Sequence, residues 1–119
     1  MKIIGIIALI CALLYIAYRS YRFVNLDNGL DEKVRKGAVI LDVRTEREYK
    51  TGHIEGSVNI PLSRLHADTI PLNPLNTYIT VCSHGLRSVK AQSLLKDRGY
   101  KQVYNGGAWT DLENTLKHK

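Results

Sequence analysis

Hydrophobic and polar positions along this chain alternate in blocks that predict strands and helices in turn. Two largely apolar stretches of strand length lie at 39–43 and 78–82, and a further short strand is predicted at 57–60. Between 88 and 98 apolar residues recur on one face of a predicted helix, and a last short strand is predicted at 102–104. Strands that alternate with helices at this spacing predict an α/β domain, in which helices cover both faces of an open parallel sheet.

Shorter elements fill the rest of this pattern. A short helix is predicted at 30–36, and the stretch 62–76 has room for at most one more. Thr45 and Thr110 each stand three residues before a glutamate, which is the spacing of a capping box at the start of a helix. The glycine pair 106–107 is predicted to form a close turn before the last helix.

The first block of the chain differs from the others because residues 3–18 are uncharged and almost wholly apolar. As a helix this run is about 24 Å long, somewhat less than a hydrocarbon core of about 30 Å. Lys2, Arg19 and Arg22 flank the run and can reach the lipid head groups, so that it can still span a bilayer. Tyrosines occupy positions where signal-peptide cleavage needs small residues, which favours an uncleaved anchor.

The sequence therefore divides into an N-terminal transmembrane anchor at 1–22, which contacts lipid through residues 3–18, and one domain at 23–119. The net charge is +6 over 119 residues, and the basic residues are more numerous after the apolar run than before it. This bias predicts a single-pass protein with its domain in the cytoplasm, and a periplasmic domain is the alternative. No pattern of basic and aromatic residues indicates nucleic-acid binding, which is therefore not expected.

The candidate chemistry centres on Cys82, which ends the strand 78–82 and precedes a short loop and the helix 88–98. In such an arrangement backbone N–H groups and the positive end of the helix point at the loop, and they favour the thiolate, the nucleophilic form of cysteine. The plain structural alternative is a small buried residue at the end of a strand.

Four segments of the chain resemble the rhodanese (sulfurtransferase) family. They are the Asp-Val-Arg end of a strand at 42–44, the segment 49–61 with its Gly-His-Ile and Asn-Ile-Pro, the cysteine loop 82–88, and the Gly-Gly-Ala-Trp region within 99–109. The resemblance covers the whole domain and implies that the part of the chain after the predicted transmembrane helix has a rhodanese-like α/β fold.

The resemblance also implies a reaction. The Cys82 thiolate would take a sulfane sulfur from a small donor such as thiosulfate, and the resulting persulfide would pass it to a thiol, to cyanide or to a protein acceptor. Beyond this covalent intermediate no cofactor is implied, and no metal. Asp42 and Arg44 are predicted as supporting residues, with a structural bond to backbone amides or to an arginine as the plainer role of Asp42. The predicted substrate- and persulfide-binding loop consists of Ser83, His84, Gly85, Leu86, Arg87 and Ser88.

Two other functions fit the same segments. One is a membrane-tethered rhodanese-like module that binds a partner without catalysis. The other is a cysteine phosphatase, which is disfavoured because that class places five residues between its cysteine and arginine, whereas only four separate Cys82 from Arg87.

Overall fold

Four parallel strands form the sheet at the centre of the domain. The structure, a computed structural model, describes residues 1–117 and gives no side chains for 22–25. The strand order is β2-β1-β3-β4, and every neighbouring pair is parallel. The strands are β1 (Val39–Asp42), β2 (Val58–Asn59), β3 (Thr77–Cys82) and β4 (Gln102–Ala108). The predicted open parallel sheet is confirmed.

Helices cover both faces of this sheet, because successive side chains of a strand point to opposite sides. In β3, Tyr78 and Cys82 belong to one apolar cluster, together with Leu95 of the long helix. Ile79 and Val81 point the other way, into a second cluster. The helices are α1 (Lys2–Asn25), α2 (Leu30–Arg35), α3 (Glu46–Thr51), α4 (Leu86–Asp97) and α5 (Trp109–Lys117), with a 3₁₀ turn at Leu62–His66.

The N-terminal helix α1 is longer than the sequence pattern predicts. It continues to Asn25, three residues beyond the predicted boundary at 22. No proline or glycine interrupts the chain between Gly5 and Gly29, which explains why the helix continues. The side chain of Arg22 and the last two residues of the chain lie outside the described part.

Within α1, the stretch Lys2–Tyr21 is long and apolar enough to cross a membrane, judged by length and composition alone. Its 20 residues correspond to about 30 Å of helix, which matches a hydrocarbon core of about 30 Å. None of this stretch is buried against the rest of the described chain.

The glycine pair near the end of β4 forms a bulge, and not the predicted turn. Thr80 pairs with Asn105 and Val81 pairs with Gly107, so that Gly106 is an extra residue in β4. A Cβ atom on Gly106 would lie 2.8 Å from methyl groups of both Ile79 and Val81. Only glycine therefore permits this close approach, and the strand extends to residue 108 where the sequence pattern predicts an end at 104.

Two helix starts also differ from prediction. Helix α4 begins at Leu86, two residues early, because Gly85 adopts the left-handed conformation (φ 92°) and turns the chain into the helix. Helix α5 begins at Trp109, so that Thr110 lies within its first turn and is not the predicted cap. The capping box at Thr45 is confirmed, with reciprocal bonds between Thr45 and Glu48.

Candidate active site

Cys82 lies at the carboxyl end of β3, the edge where parallel sheets bind their ligands. The residue is 1% exposed, and its Sγ accepts N–H bonds from Gly85 at 3.0 Å and from Ser88 at 3.3 Å. Both donors are backbone amides at the start of α4, and they complement negative charge on sulfur. The arrangement therefore holds a buried thiol in surroundings that suit an anion.

Side-chain bonds fix the loop around this sulfur. Thr80 of β3 donates its hydroxyl hydrogen to the carbonyl of Ser88 at 2.9 Å, which ties the first turn of α4 to the strand. The Ser88 hydroxyl donates to the carbonyl of Gly85 at 3.1 Å. Both hydroxyl residues are fully buried. The two amides that face Cys82 are thus held in place by the core and do not depend on solvent.

The predicted loop 83–88 divides into two parts. Ser83, His84 and Gly85 form the loop proper, and the next three residues are the first turn of α4. His84 and Leu86 are exposed on the outside of this turn, Leu86 to 48%. They therefore stand where a partner molecule can contact them.

An acidic residue from another part of the chain completes the loop. Glu48, in α3, forms a two-pronged ion pair with the Arg87 guanidinium, with N–O distances of 2.8 and 2.9 Å. Ser83 joins the pair, because its hydroxyl donates to Glu48 at 2.9 Å and accepts from Arg87 at 3.0 Å. No local pattern in the sequence points to this role of Glu48, since the capping box with Thr45 already accounts for a glutamate at that position.

This network changes the proton affinity of both partners. The Arg87 guanidinium holds the pKa of the Glu48 carboxyl far below its usual range, and the Ser83 hydroxyl lowers it further against the opposing effect of burial. The same contact raises the pKa of Arg87. Arg87 is therefore a permanent cation whose fork of donors is occupied by Glu48.

Replacing Glu48 by glutamine gives a test of this network that depends on pH. A carboxyl whose folded pKa is depressed stabilises the fold above its ordinary pKa, near 4.3, and loses that contribution as the pH falls toward the folded value. We expect Glu48→Gln to lower the melting temperature at pH 7, and we expect the difference from wild type to shrink as the pH falls from about 5 toward 3.

Thermal unfolding of both proteins across this pH range measures the effect. Glu46→Gln is the matched control, because Glu46 also lies in α3 and pairs with an arginine, Arg64, but at an exposed site. A difference for Glu48→Gln that stays constant with pH would contradict the role assigned to its charge.

The predicted supporting residues Asp42 and Arg44 form a buried ion pair. Two side-chain nitrogens of Arg44, Nε and Nη2, make three contacts to the Asp42 carboxylate, of which the shortest is 2.7 Å, and the Arg44 backbone amide donates to it as well. Both side chains are almost fully buried. The guanidinium also donates to the Gly52 carbonyl at 2.6 Å and stacks over Trp109, 4.7 Å from the ring centroid. This pair therefore ties β1 to the start of α5.

Sequence and structure comparisons show the class to which this fold and site belong. The fold is an α/β domain with a four-stranded parallel sheet. A buried cysteine lies at the end of β3, and two backbone amides at the start of α4 donate to its sulfur. The rhodanese-like domain family model matches residues 25–110. The chain belongs to this family.

Individual relatives bear names that concern sulfur transfer. A tRNA sulfurtransferase of Thermoplasma acidophilum is 34% identical over 94 residues, which cover 78% of this chain but only 18% of that protein. The thiosulfate sulfurtransferase PspE of Escherichia coli is 32% identical over 75 residues, with 60% of this chain and 71% of the relative covered. A human single-domain sulfurtransferase superposes with a TM-score of 0.64 at 26% identity, over 76% of this chain and 92% of that one.

Proposed function

We propose that this protein is a sulfurtransferase that carries a sulfane sulfur as a persulfide on Cys82. The observation that supports this most directly is the pair of backbone N–H bonds, from Gly85 and Ser88, to a buried sulfur at the carboxyl edge of the sheet. Family membership and the names of several relatives support the same reaction type.

The first half-reaction loads the cysteine. The Cys82 thiolate attacks the outer sulfur of thiosulfate, a new S–S bond forms, and the bond inside the donor breaks to release sulfite with the electron pair. The persulfide then bears the negative charge that the thiolate bore before. Because the two amides already face Sγ, they reduce the cost of holding that charge in a buried place.

In the second half-reaction an acceptor thiolate attacks the outer sulfur of the persulfide. The S–S bond to Cys82 breaks, Cys82 leaves as the thiolate, and the acceptor becomes the persulfide, so that charge and electrons balance without an oxidant. Since Cys82 itself is buried, the outer sulfur, about 2 Å further out, is the atom that acceptors reach.

The donor is a small sulfane compound, recognised mainly by backbone amides. Arg87 stands nearby, but Glu48 occupies its guanidinium and balances its charge. A doubly charged donor such as thiosulfate therefore gains little from this arginine, and we propose that a persulfide or polysulfide serves as donor at least as well.

The intact mass of the full chain in mild detergent tests the proposal. After incubation with thiosulfate, or with polysulfide, we expect the mass to increase by one sulfur atom, and we expect cyanide or a thiol to remove that increase. Cys82→Ser should show no gain with either donor. If the wild-type chain gains sulfur from neither donor, the result would contradict the proposal and favour a binding module without catalysis.

We further propose that Lys2–Tyr21 anchors the protein in a membrane as a single span. Its length, its uncharged run at 3–18 and the absence of buried residues in it support this role. The larger number of basic residues after the span supports a cytoplasmic domain.

A further inference from the structure

The domain is attached to the end of α1 without a free linker. Asp27 lies two residues beyond the last residue of the helix, and its backbone N–H donates to the carbonyl of Asn105 at 3.1 Å. Its carboxylate accepts the amide N–H of Asn105 at 2.7 Å and the side-chain amide of Gln92 at 3.0 Å. Asp27 therefore docks along the free edge of β4 and against α4.

These contacts restrict how the domain stands on its anchor. Leu26 is the only residue between the end of α1 and the first docked residue, and it packs beside Gly107. One residue leaves little rotational freedom, whereas a flexible linker allows a domain to turn any face toward a membrane.

A cavity shows which edge of the sheet lies near the anchor. It measures about 350 Å³, and its lining includes Arg19 of α1, Gly85 of the cysteine loop, and Gly107 and Ala108 at the carboxyl end of β4. Arg19 stands two residues before the end of the apolar stretch Lys2–Tyr21, at the level of the lipid head groups. The cysteine loop and the membrane end of the anchor are thus two walls of the same cavity.

The amino ends of the strands lie at the opposite edge of the domain. Leu75, which is 87% exposed, precedes β3 at that edge. The six residues of β3 separate it from the cysteine loop by roughly 17 Å or more, at about 3.3 Å per residue. The two edges are therefore far enough apart for a surface probe to distinguish them.

We propose that the edge of the sheet that bears Cys82 faces the bilayer surface, and that the sulfur acceptor is a cysteine of a membrane-bound protein held at that surface. The acceptor part rests on the proposed sulfurtransferase function. A thiolate of this partner attacks the outer sulfur of the Cys82 persulfide, Cys82 leaves as the thiolate, and the partner keeps the sulfur. Leu86, exposed beside the loop, offers the partner an apolar contact.

Spin labels on the full chain in lipid vesicles test the orientation. In a Cys11→Ser, Cys82→Ser background, one variant bears a nitroxide at Leu86→Cys and its matched control bears one at Leu75→Cys, since both leucines are exposed. Vesicles that contain a nickel-chelating lipid relax nitroxides close to their surface. We expect relaxation at least several-fold stronger at position 86 than at 75, and equal or reversed relaxation would overturn the orientation.

Sulfur transfer to two thiols tests the acceptor. The wild-type chain in lipid vesicles is first loaded with sulfur on Cys82. The vesicles then receive either a phosphatidylethanolamine whose head group bears a thiol, or the same thiol on a soluble molecule. A second protein has a flexible Gly-Ser insertion of 12 residues between positions 25 and 26, which spans roughly 20 Å and lowers the effective concentration of the loop at the surface. We expect the insertion to slow transfer to the lipid thiol at least fivefold and to leave the soluble thiol unaffected.

Asp27→Ala should also slow transfer to the lipid thiol and leave transfer to the soluble thiol unchanged, because it removes the carboxylate that fixes the domain. Equal rates to the lipid thiol with and without the insertion would overturn the inference, while persulfide formation on Cys82 would still support the proposed function. If no persulfide forms at all, the proposed function fails, and the spin labels still report the orientation.

Discussion

We expect the replacement of Cys82 by serine to abolish sulfur transfer. A hydroxyl at this position is a far weaker nucleophile than a thiolate and cannot form a persulfide, so we expect the transfer rate to fall by on the order of 10³-fold or more. The fold should survive, because serine differs little in volume and both donors to Sγ belong to the backbone. Release of sulfite from thiosulfate, followed over time, measures the rate.

The chain provides its own control for this experiment. The protein has two cysteines, and the other one, Cys11, is exposed in the apolar helix. Cys11→Ser should retain full transfer, since residue 11 lies in the apolar stretch of α1, which has no residue buried against the rest of the described chain. Sulfur transfer that persists in Cys82→Ser and disappears in Cys11→Ser would show that Cys11 is the reactive cysteine and would contradict the role proposed for Cys82.

The largest loss of stability is expected from Asp42→Ala. Removal of this carboxylate leaves the Arg44 guanidinium buried without its counter-charge, a change that typically costs about 3–5 kcal/mol. It also leaves the Arg44 backbone amide without the acceptor that it has in the native fold. Denaturant unfolding of the full chain in mild detergent measures the free energy of unfolding.

Glu46→Ala is the matched control, because Glu46 and Arg64 form an ion pair whose side chains are 53% and 65% exposed. Exposed pairs contribute about 0–1 kcal/mol, so the control should lose no more than that. If the two variants lose equal stability, the buried pair does not hold β1 and α5 together as the geometry indicates.

The sequence determined the elements that depend on local patterns. Period-2 alternation at 78–82 placed Cys82 at the tip of a strand, and the strand–helix alternation indicated a parallel sheet, which the structure confirms. The capping box at Thr45 was also visible, since its two partners are three residues apart. Such features need no knowledge of distant contacts.

Contacts between distant segments were decided only by the tertiary structure. Glu48 meets Arg87 across 39 positions in the chain, because the sheet order places α3 beside the cysteine loop, and no local pattern encodes that pairing. The bulge at Gly106 follows from the closeness of Ile79 and Val81 in the neighbouring strand. The docking of Asp27 on β4 likewise depends on an edge that exists only once the sheet has formed. Local periodicity thus determined the elements and the position of Cys82, whereas packing in three dimensions determined the partners of the loop and the way the domain is attached to α1.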